Sequence, residues 1–131
     1  MEQKIIVEYL VEKVSPLFII LFGSAVKGNF KHNSDYDIAF LSNEQYDSYQ
    51  LFLRSQELAE KLHREVDLID LSRASTVFKA QIIHTGKAIY CKDKLTKDHF
   101  DIKTMKMYAK LNEERLPIMR SIDESGSIYE Q

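Results

Sequence analysis

The chain has 131 residues and a mass of 15.3 kDa, a length that predicts a single domain over 1–131. Its 44% of hydrophobic and 29% of charged residues exclude a disordered or fibrous chain, and its formal net charge of −2 excludes a broad basic surface for nucleic acid. The one cysteine, Cys91, cannot form an internal disulfide, and the longest apolar run, 17–22, is too short to cross a bilayer, so we expect a cytoplasmic protein that does not bind membranes. Because the net charge is negative, we expect no direct binding to nucleic acid.

The spacing of apolar residues predicts helices that alternate with strands. Pro16 ends the first helix, and Gly86 is expected to cap the third. In chain order the predicted elements are helix 2–14, strand 17–22, strand 35–41, a helix that starts after Ser42-Asn43 and reaches about 63, strand 65–71, helix 72–84, strand 88–91, and a helical segment of about 96–122 that is either continuous or broken near Pro117. This order indicates an α/β fold, with a small mixed sheet of about four strands flanked by helices.

A glycine–serine pair follows the first predicted strand. Gly23 would allow a tight turn and a close approach of backbone N–H groups to a phosphate, and Ser24 would add a hydroxyl donor. The sequence after Gly28 does not continue as a P-loop, and the glycine spacing does not fit a dinucleotide fingerprint. Alone, the pair is more often an ordinary turn, so its meaning depends on its neighbours.

Two carboxylates open the second predicted strand. Asp35 and Asp37 lie two residues apart, so their side chains are predicted to leave the same face, roughly 7 Å apart at Cα. Neighbouring carboxylates repel each other, and a hard cation such as Mg²⁺ would neutralise that repulsion. The alternative for an isolated Asp-x-Asp is a pair of solvated acids at the start of a strand.

A third carboxylate is predicted on the third strand. Asp67 and Asp70 are separated by an odd number of residues, so they should point to opposite faces and only one can join the pair. We assign Asp67 to the site and Asp70 to the cap of the following helix. Three carboxylates fit a two-metal site, in which one ion activates an acceptor hydroxyl and the other neutralises a triphosphate.

Together these residues resemble the signature of the polymerase β-like nucleotidyltransferases, which is Gly-Ser, about ten residues, Asp-x-Asp and a later carboxylate. Ten residues separate Ser24 from Asp35, and Asp67 fills the later position. The chain looks most similar to the minimal nucleotidyltransferase (MNT) antitoxins of HEPN/MNT toxin–antitoxin systems. That similarity rests on Gly23-Ser24-x-x-Lys27-Gly28, Ser34-Asp35-x-Asp37, Val66-Asp67-Leu68-Ile69-Asp70-Leu71 with Arg73-Ala74-Ser75, Gln81-Ile82 and Gly86-Lys87-Ala88-Ile89-Tyr90.

The resemblance implies a minimal nucleotidyltransferase fold and an activity. ATP would be the donor, with two Mg²⁺ ions, and AMP would be transferred to a tyrosine hydroxyl of a cognate HEPN ribonuclease toxin, with which the chain would form a hetero-oligomer. Asp35, Asp37 and Asp67 would be the metal ligands, and Asp67 would also take the proton of the acceptor. Gly23, Ser24 and Lys27 would hold the triphosphate. Lys27 stands where the family often has Arg, which keeps the charge but loses the planar fork.

Two other functions remain open from the residues. A non-catalytic antitoxin would mask its toxin by binding, and stoichiometric inhibition without ATP would identify it. A small-molecule nucleotidyltransferase, such as one that modifies an antibiotic, would need an added domain to shape the acceptor pocket, and 131 residues leave little room for one.

Overall fold

Four strands form one mixed sheet in a computed structural model that describes residues 1–26 and 35–124, with side chains up to residue 114. In chain order the elements are α1 (Glu2–Val14), β1 (Pro16–Phe22), a 3₁₀ turn (Gly23–Ala25), β2 (Tyr36–Ser42), α2 (Ser48–Leu62), β3 (Val66–Asp70), a second 3₁₀ turn (Leu71–Arg73), α3 (Thr76–Thr85), β4 (Lys87–Cys91) and α4 (Lys94–Glu124). The predicted fold class, a small mixed sheet flanked by helices, is confirmed.

The strand order β3-β2-β1-β4 brings three strand ends to one edge of the sheet. The central strand β1 pairs antiparallel with both β2 and β4, while β2 and β3 are parallel. The C-terminal end of β1 therefore lies beside the N-terminal ends of β2 and β3. We call this edge, with Phe22, Tyr36 and Val66 at the strand ends, the acidic edge of the sheet.

Each face of the sheet is covered by a pair of helices, which is why β1 is apolar on both sides. On one face the core contains Ile6, Tyr9, Leu10, Val14, Ile19, Leu21, Tyr36, Ile38, Phe40, Leu58, Leu62, Val66 and Leu68, which come from α1, α2 and the sheet. On the other face the core contains Phe18, Ile20, Ala39, Leu71 and Ile82, with Phe78 of α3 and Phe100 of α4 packed against them. The alternation of side chains along each strand divides the residues between the two cores.

The start of α2 differs from the prediction. We expected Ser42-Asn43 to start this helix, but Ser42 ends β2 and its hydroxyl donates to the carbonyl oxygen of Val14 at 2.8 Å. The cap is instead Asp47, whose carboxylate accepts from the backbone N–H of Gln50 while the Gln50 side chain accepts from Asp47 N–H. A hydroxyl already used to tie α1 to the sheet is not available to cap a helix.

The predicted helix 72–84 is divided in two. Asp70 accepts from Ser72 N–H at 3.0 Å and so caps a 3₁₀ turn, and not α3 as the sequence had suggested. Ser75 then caps α3, because its hydroxyl accepts from Phe78 N–H. Gly86 follows α3 as predicted, with extended backbone.

The last helix is one element, which settles the alternative left open at Pro117 in favour of an unbroken helix over Lys94–Glu124. It starts two residues before the predicted 96, because Asp93 accepts from the backbone N–H groups of Leu95 and Thr96. Among the described residues, no helix is both long and apolar enough to span a bilayer.

Candidate active site

The acidic edge places two carboxylates side by side. In the register of the sheet, Phe22 of β1 pairs with Asp37 of β2, and Asp37 in turn lies beside Asp67 of β3. Paired residues on adjacent strands project to the same face, and their backbones are about 5 Å apart. Asp37 and Asp67 therefore leave the sheet together, on the face covered by α3 and α4, as the parity of the sequence predicts.

The third acid is positioned differently from the prediction. The sequence pattern placed Asp35 inside a strand, but β2 begins at Tyr36, so Asp35 lies one residue outside the hydrogen-bonded ladder and is exposed. It is still within electrostatic reach of Asp37, because its charge contributes to the pKa of that residue. The alternation of side chains along the strands therefore places Asp37 and Asp67 on one face, whereas the electrostatic effect of Asp35 on Asp37 indicates that Asp35 lies nearby.

Electrostatics single out Asp37 within the group. Its pKa is raised, first by burial and then by the negative charges of Asp67 and Asp35. Asp37 is half-buried, whereas its two neighbours are exposed. A carboxylate in this position is unfavourable as an anion until a positive charge joins it. Raised carboxylate pKa values of this kind are more frequent at functional sites than elsewhere.

Gly23 forms the wall of the site next to Asp37. Its φ of +71° lies in the left-handed region, and a Cβ built on it would fall 2.2 Å from Oδ2 of Asp37. A glycine is needed here for two reasons, the backbone conformation and the space occupied by the carboxylate. The close approach also means that the backbone of the turn lies directly against Asp37.

The turn places Ser24 next to this glycine. Ser24 lies within the 3₁₀ turn Gly23–Ala25 and is half-buried. Lys27, the third residue assigned to the triphosphate, lies outside the described residues.

A cavity of about 430 Å³ adjoins the far side of the turn. Its walls include Ala25 and Val26 of the turn region, and Gly86 and Lys87 at the start of β4. Leu21, which pairs with Lys87, also lines it and faces the α1 side of the sheet. The turn therefore separates the acids on one face from this cavity on the other, and volumes of this size suit small-molecule ligands.

The donor set suits Mg²⁺ by its chemistry, since carboxylate oxygens are the ligands that this ion prefers. Within the described part of the chain, no group of three or more His, Cys, Asp or Glu side chains is gathered into a ready metal cage. Mg²⁺ is commonly held by one or two carboxylates together with phosphate oxygens of a substrate, so an assembled cage is not required. Burial and the repulsion from Asp67 and Asp35 raise the pKa of Asp37, and a cation at this position would relieve that repulsion. The roles of Asp35, Asp37 and Asp67 as metal ligands stay a prediction.

The fold and this site define the class of the protein as a nucleotidyltransferase. The model of the polymerase β nucleotidyltransferase family matches residues 4–95, which include every described residue of the site. The chain is 36% identical over 118 residues to the protein adenylyltransferase MntA of Shewanella oneidensis, an alignment that covers 89% of this chain and 84% of that protein. The chain therefore belongs to the polymerase β nucleotidyltransferase family and, within it, to the MntA protein adenylyltransferases.

Further similarities agree with this assignment. A second MntA protein adenylyltransferase, from Aphanizomenon flos-aquae, is 29% identical over 84 residues, or 55% of each chain. Among solved structures, a crystal structure of a toxin–antitoxin with AMP-PNP matches with a TM-score of 0.84 and 33% identity, over 93% of this chain and 98% of that chain. A structure of the tri-AMPylated Shewanella oneidensis HEPN toxin in complex with its MNT antitoxin matches with a TM-score of 0.78 and 31% identity, over 92% and 95%. The predicted family resemblance is confirmed.

Proposed function

We propose that this chain is an adenylyltransferase antitoxin of the cytoplasm, which transfers AMP from ATP to a tyrosine hydroxyl of a cognate HEPN ribonuclease toxin and so neutralises it. The observation that carries the proposal is the pairing of Asp37 with Asp67 against the Gly23 turn, in a chain that matches the MntA relative over most of its length. The AMP-PNP in one structural neighbour and the AMPylated HEPN toxin in another support the donor and the acceptor.

In the proposed reaction, the acceptor oxygen bonds to the α-phosphorus of ATP, the bond between the α- and β-phosphates breaks, and pyrophosphate leaves with that electron pair. Asp67 takes the proton of the acceptor hydroxyl, and its exposure leaves it open to an incoming protein. Asp35 and Asp37 would hold Mg²⁺, together with Asp67. Mg²⁺, when bound there, supplies the positive charge that neutralises the triphosphate and favours the deprotonated acceptor.

The Gly23 turn would hold the triphosphate of the nucleotide. The backbone at Gly23 can approach a phosphate without hindrance from a side chain, and Ser24 offers a hydroxyl donor beside it. Lys27 would add a positive charge to the triphosphate. In this proposal the acids act on the acceptor hydroxyl, while the turn and Lys27 hold the phosphates that leave as pyrophosphate.

The test is the transfer of labelled AMP from ATP to the partner toxin. Asp35→Asn together with Asp37→Asn should abolish incorporation while circular dichroism shows an intact fold, because both proposed metal ligands lose their charge. Labelling that persists in the double variant would refute the assignment of these residues. Neutralisation of the toxin by the double variant at a stoichiometric ratio and without ATP would instead support an antitoxin that masks its partner.

A further inference from the structure

A partly buried polar cluster lies directly behind the acids. Tyr36, which stands between Asp35 and Asp37 in the sequence, points to the opposite face of the sheet and is 5% exposed. Its hydroxyl donates to Oε1 of Glu2 at 2.7 Å, and the other oxygen of Glu2 accepts from Nε of Arg64 at 3.0 Å. We call these three residues, Glu2, Tyr36 and Arg64, the Tyr36 cluster.

The Tyr36 cluster joins three separate segments of the chain at the acidic edge. Glu2 is the first residue of α1, Tyr36 is the first residue of β2, and Arg64 lies between α2 and β3. The guanidinium carbon of Arg64 is also 5.5 Å from the centroid of the Tyr36 ring, a cation–π distance. The backbone N–H of Tyr36 donates to the carbonyl oxygen of Glu65 at 2.9 Å, which fixes the start of β2 against the start of β3.

This anchorage matters because the acids on the other face repel one another. Asp35 precedes the first residue of β2, so the ladder does not hold it, whereas the next residue, Tyr36, is fixed by several contacts. Asp37 and Asp67 are paired on adjacent strands, and Asp35 lies two residues before Asp37, so like charges repel one another on this part of the sheet. Without a firm anchor, this repulsion would favour separation of Asp35 and Asp37 from Asp67.

We propose that the Tyr36 cluster is a positioning device that holds Asp35 and Asp37 at the spacing required to bind the magnesium complex of a nucleoside triphosphate. The proposal rests on the proposed function. The cluster lies on the opposite face from the acids and acts through the backbone of Tyr36, so its members are positioning residues and touch neither the nucleotide nor the acceptor.

The chain contains a matched control for this proposal. Tyr9 is also 5% exposed, and its hydroxyl also donates to a glutamate carboxylate, that of Glu57. Burial, followed by the hydrogen bond to a glutamate, raises the pKa of each of the two tyrosines to about 12. Tyr9, however, joins α1 to α2 and holds no part of the acidic edge. The loss of the Tyr9 hydroxyl therefore measures the cost to stability alone.

The experiment compares Tyr36→Phe with Tyr9→Phe in the full chain. Binding of AMP-PNP in the presence of Mg²⁺ is measured by isothermal titration calorimetry, and stability is measured by urea denaturation. We expect similar losses of stability, because each variant loses one hydrogen bond to a carboxylate. Affinity for the magnesium complex of AMP-PNP should fall about tenfold in Tyr36→Phe and remain near the wild-type value in Tyr9→Phe.

Each outcome decides the proposal. Equal affinities in Tyr36→Phe and the wild-type chain, or equal losses in both variants, would overturn it. A wild-type chain that binds no AMP-PNP would overturn the proposed function itself, and the positioning role with it.

If Tyr36→Phe does not fold, Glu2→Gln replaces it, because glutamine keeps an acceptor for the Tyr36 hydroxyl but removes the charge that faces Arg64. The expected loss of affinity is then about threefold, and an unchanged affinity would overturn the proposal.

Discussion

Gly23→Ala tests how closely the turn is fitted to the carboxylate of Asp37. At φ +71° an alanine has a strained backbone, at a cost of about 1–2 kcal/mol. Its Cβ would also lie 2.2 Å from Oδ2 of Asp37, and the forced displacement of that carboxylate adds about 1–3 kcal/mol. We therefore expect the free energy of unfolding to fall by about 2–5 kcal/mol.

A double-mutant cycle separates these two contributions. In an Asp37→Ala background the carboxylate is gone, and the nearest remaining atom of residue 37 is its Cβ, which lies 3.4 Å from the added methyl group in ordinary contact. Only the backbone strain should then remain, so Gly23→Ala should cost about 1–2 kcal/mol in this background. The coupling between the two positions is expected to be about 1–3 kcal/mol.

The assay is urea denaturation of the wild-type chain, both single variants and the double variant, with circular dichroism to verify that each one folds. A cost for Gly23→Ala that is the same in both backgrounds, within about 0.5 kcal/mol, would refute the reasoning, because the contact with Asp37 would then contribute nothing. Transfer of labelled AMP by Gly23→Ala should also fall about 100-fold, since a displaced Asp37 cannot keep the geometry of the site.

Two further predictions concern the acids. Asp67→Asn should lower AMP transfer about 10²- to 10⁴-fold while the fold stays intact. Asp70→Asn should keep AMP transfer near the wild-type rate but lower the free energy of unfolding by about 1–3 kcal/mol, because Asp70 is buried and accepts hydrogen bonds from Ser72. Equal effects of the two variants on transfer would contradict the assignment of Asp67 and Asp70 to opposite faces. Without Mg²⁺, the pKa of Asp37 is higher in the native chain than its ordinary value of 3.8 in the unfolded chain. The contribution of Asp37 to stability is therefore fully present below pH 3.8 and is lost as the pH rises through the raised pKa. Asp37→Asn should remove that part of the pH dependence in urea denaturation, and an unchanged profile would contradict the raised pKa.

The sheet could be predicted from the sequence because its strands carry strong local signals. β1 is an uninterrupted apolar run bounded by Pro16 and Gly23, and its burial on both faces requires such a run. The predicted ends of the strands differ from the observed ends by about one residue. That small difference mattered once, at Asp35, because a residue just outside a ladder no longer obeys the alternation of the strand.

The helix starts were harder to predict, since several side chains compete for each cap. Ser42 and Asp70 both looked like caps of long helices, yet Ser42 is bonded to the end of α1 and Asp70 caps a short 3₁₀ turn. The true caps, Asp47 and Ser75, are recognised only when the partners of every nearby polar side chain are known. A single sequence does not reveal those partners.

The Tyr36 cluster could not have been predicted at all. Its members are separated by 34 residues between Glu2 and Tyr36 and by 62 between Glu2 and Arg64, and no periodicity links them. In the sequence Tyr36 looks like one more apolar residue of a strand. Its hydrogen bond becomes visible only when the sheet order brings the start of α1 next to the starts of β2 and β3.

The exposure of the acids explains why an acceptor carried by another protein suits this site. Asp35 and Asp67 are open to solvent, and only Asp37 is partly covered by the Gly23 turn. A small-molecule acceptor would need walls on several sides to be oriented at such a surface, and each wall would require additional chain. A tyrosine that is fixed on a folded partner is already oriented by that partner, so the site has only to hold the nucleotide and accept a proton. We therefore expect free tyrosine to be a poor acceptor even at high concentration, whereas the assembled toxin–antitoxin complex should be labelled efficiently.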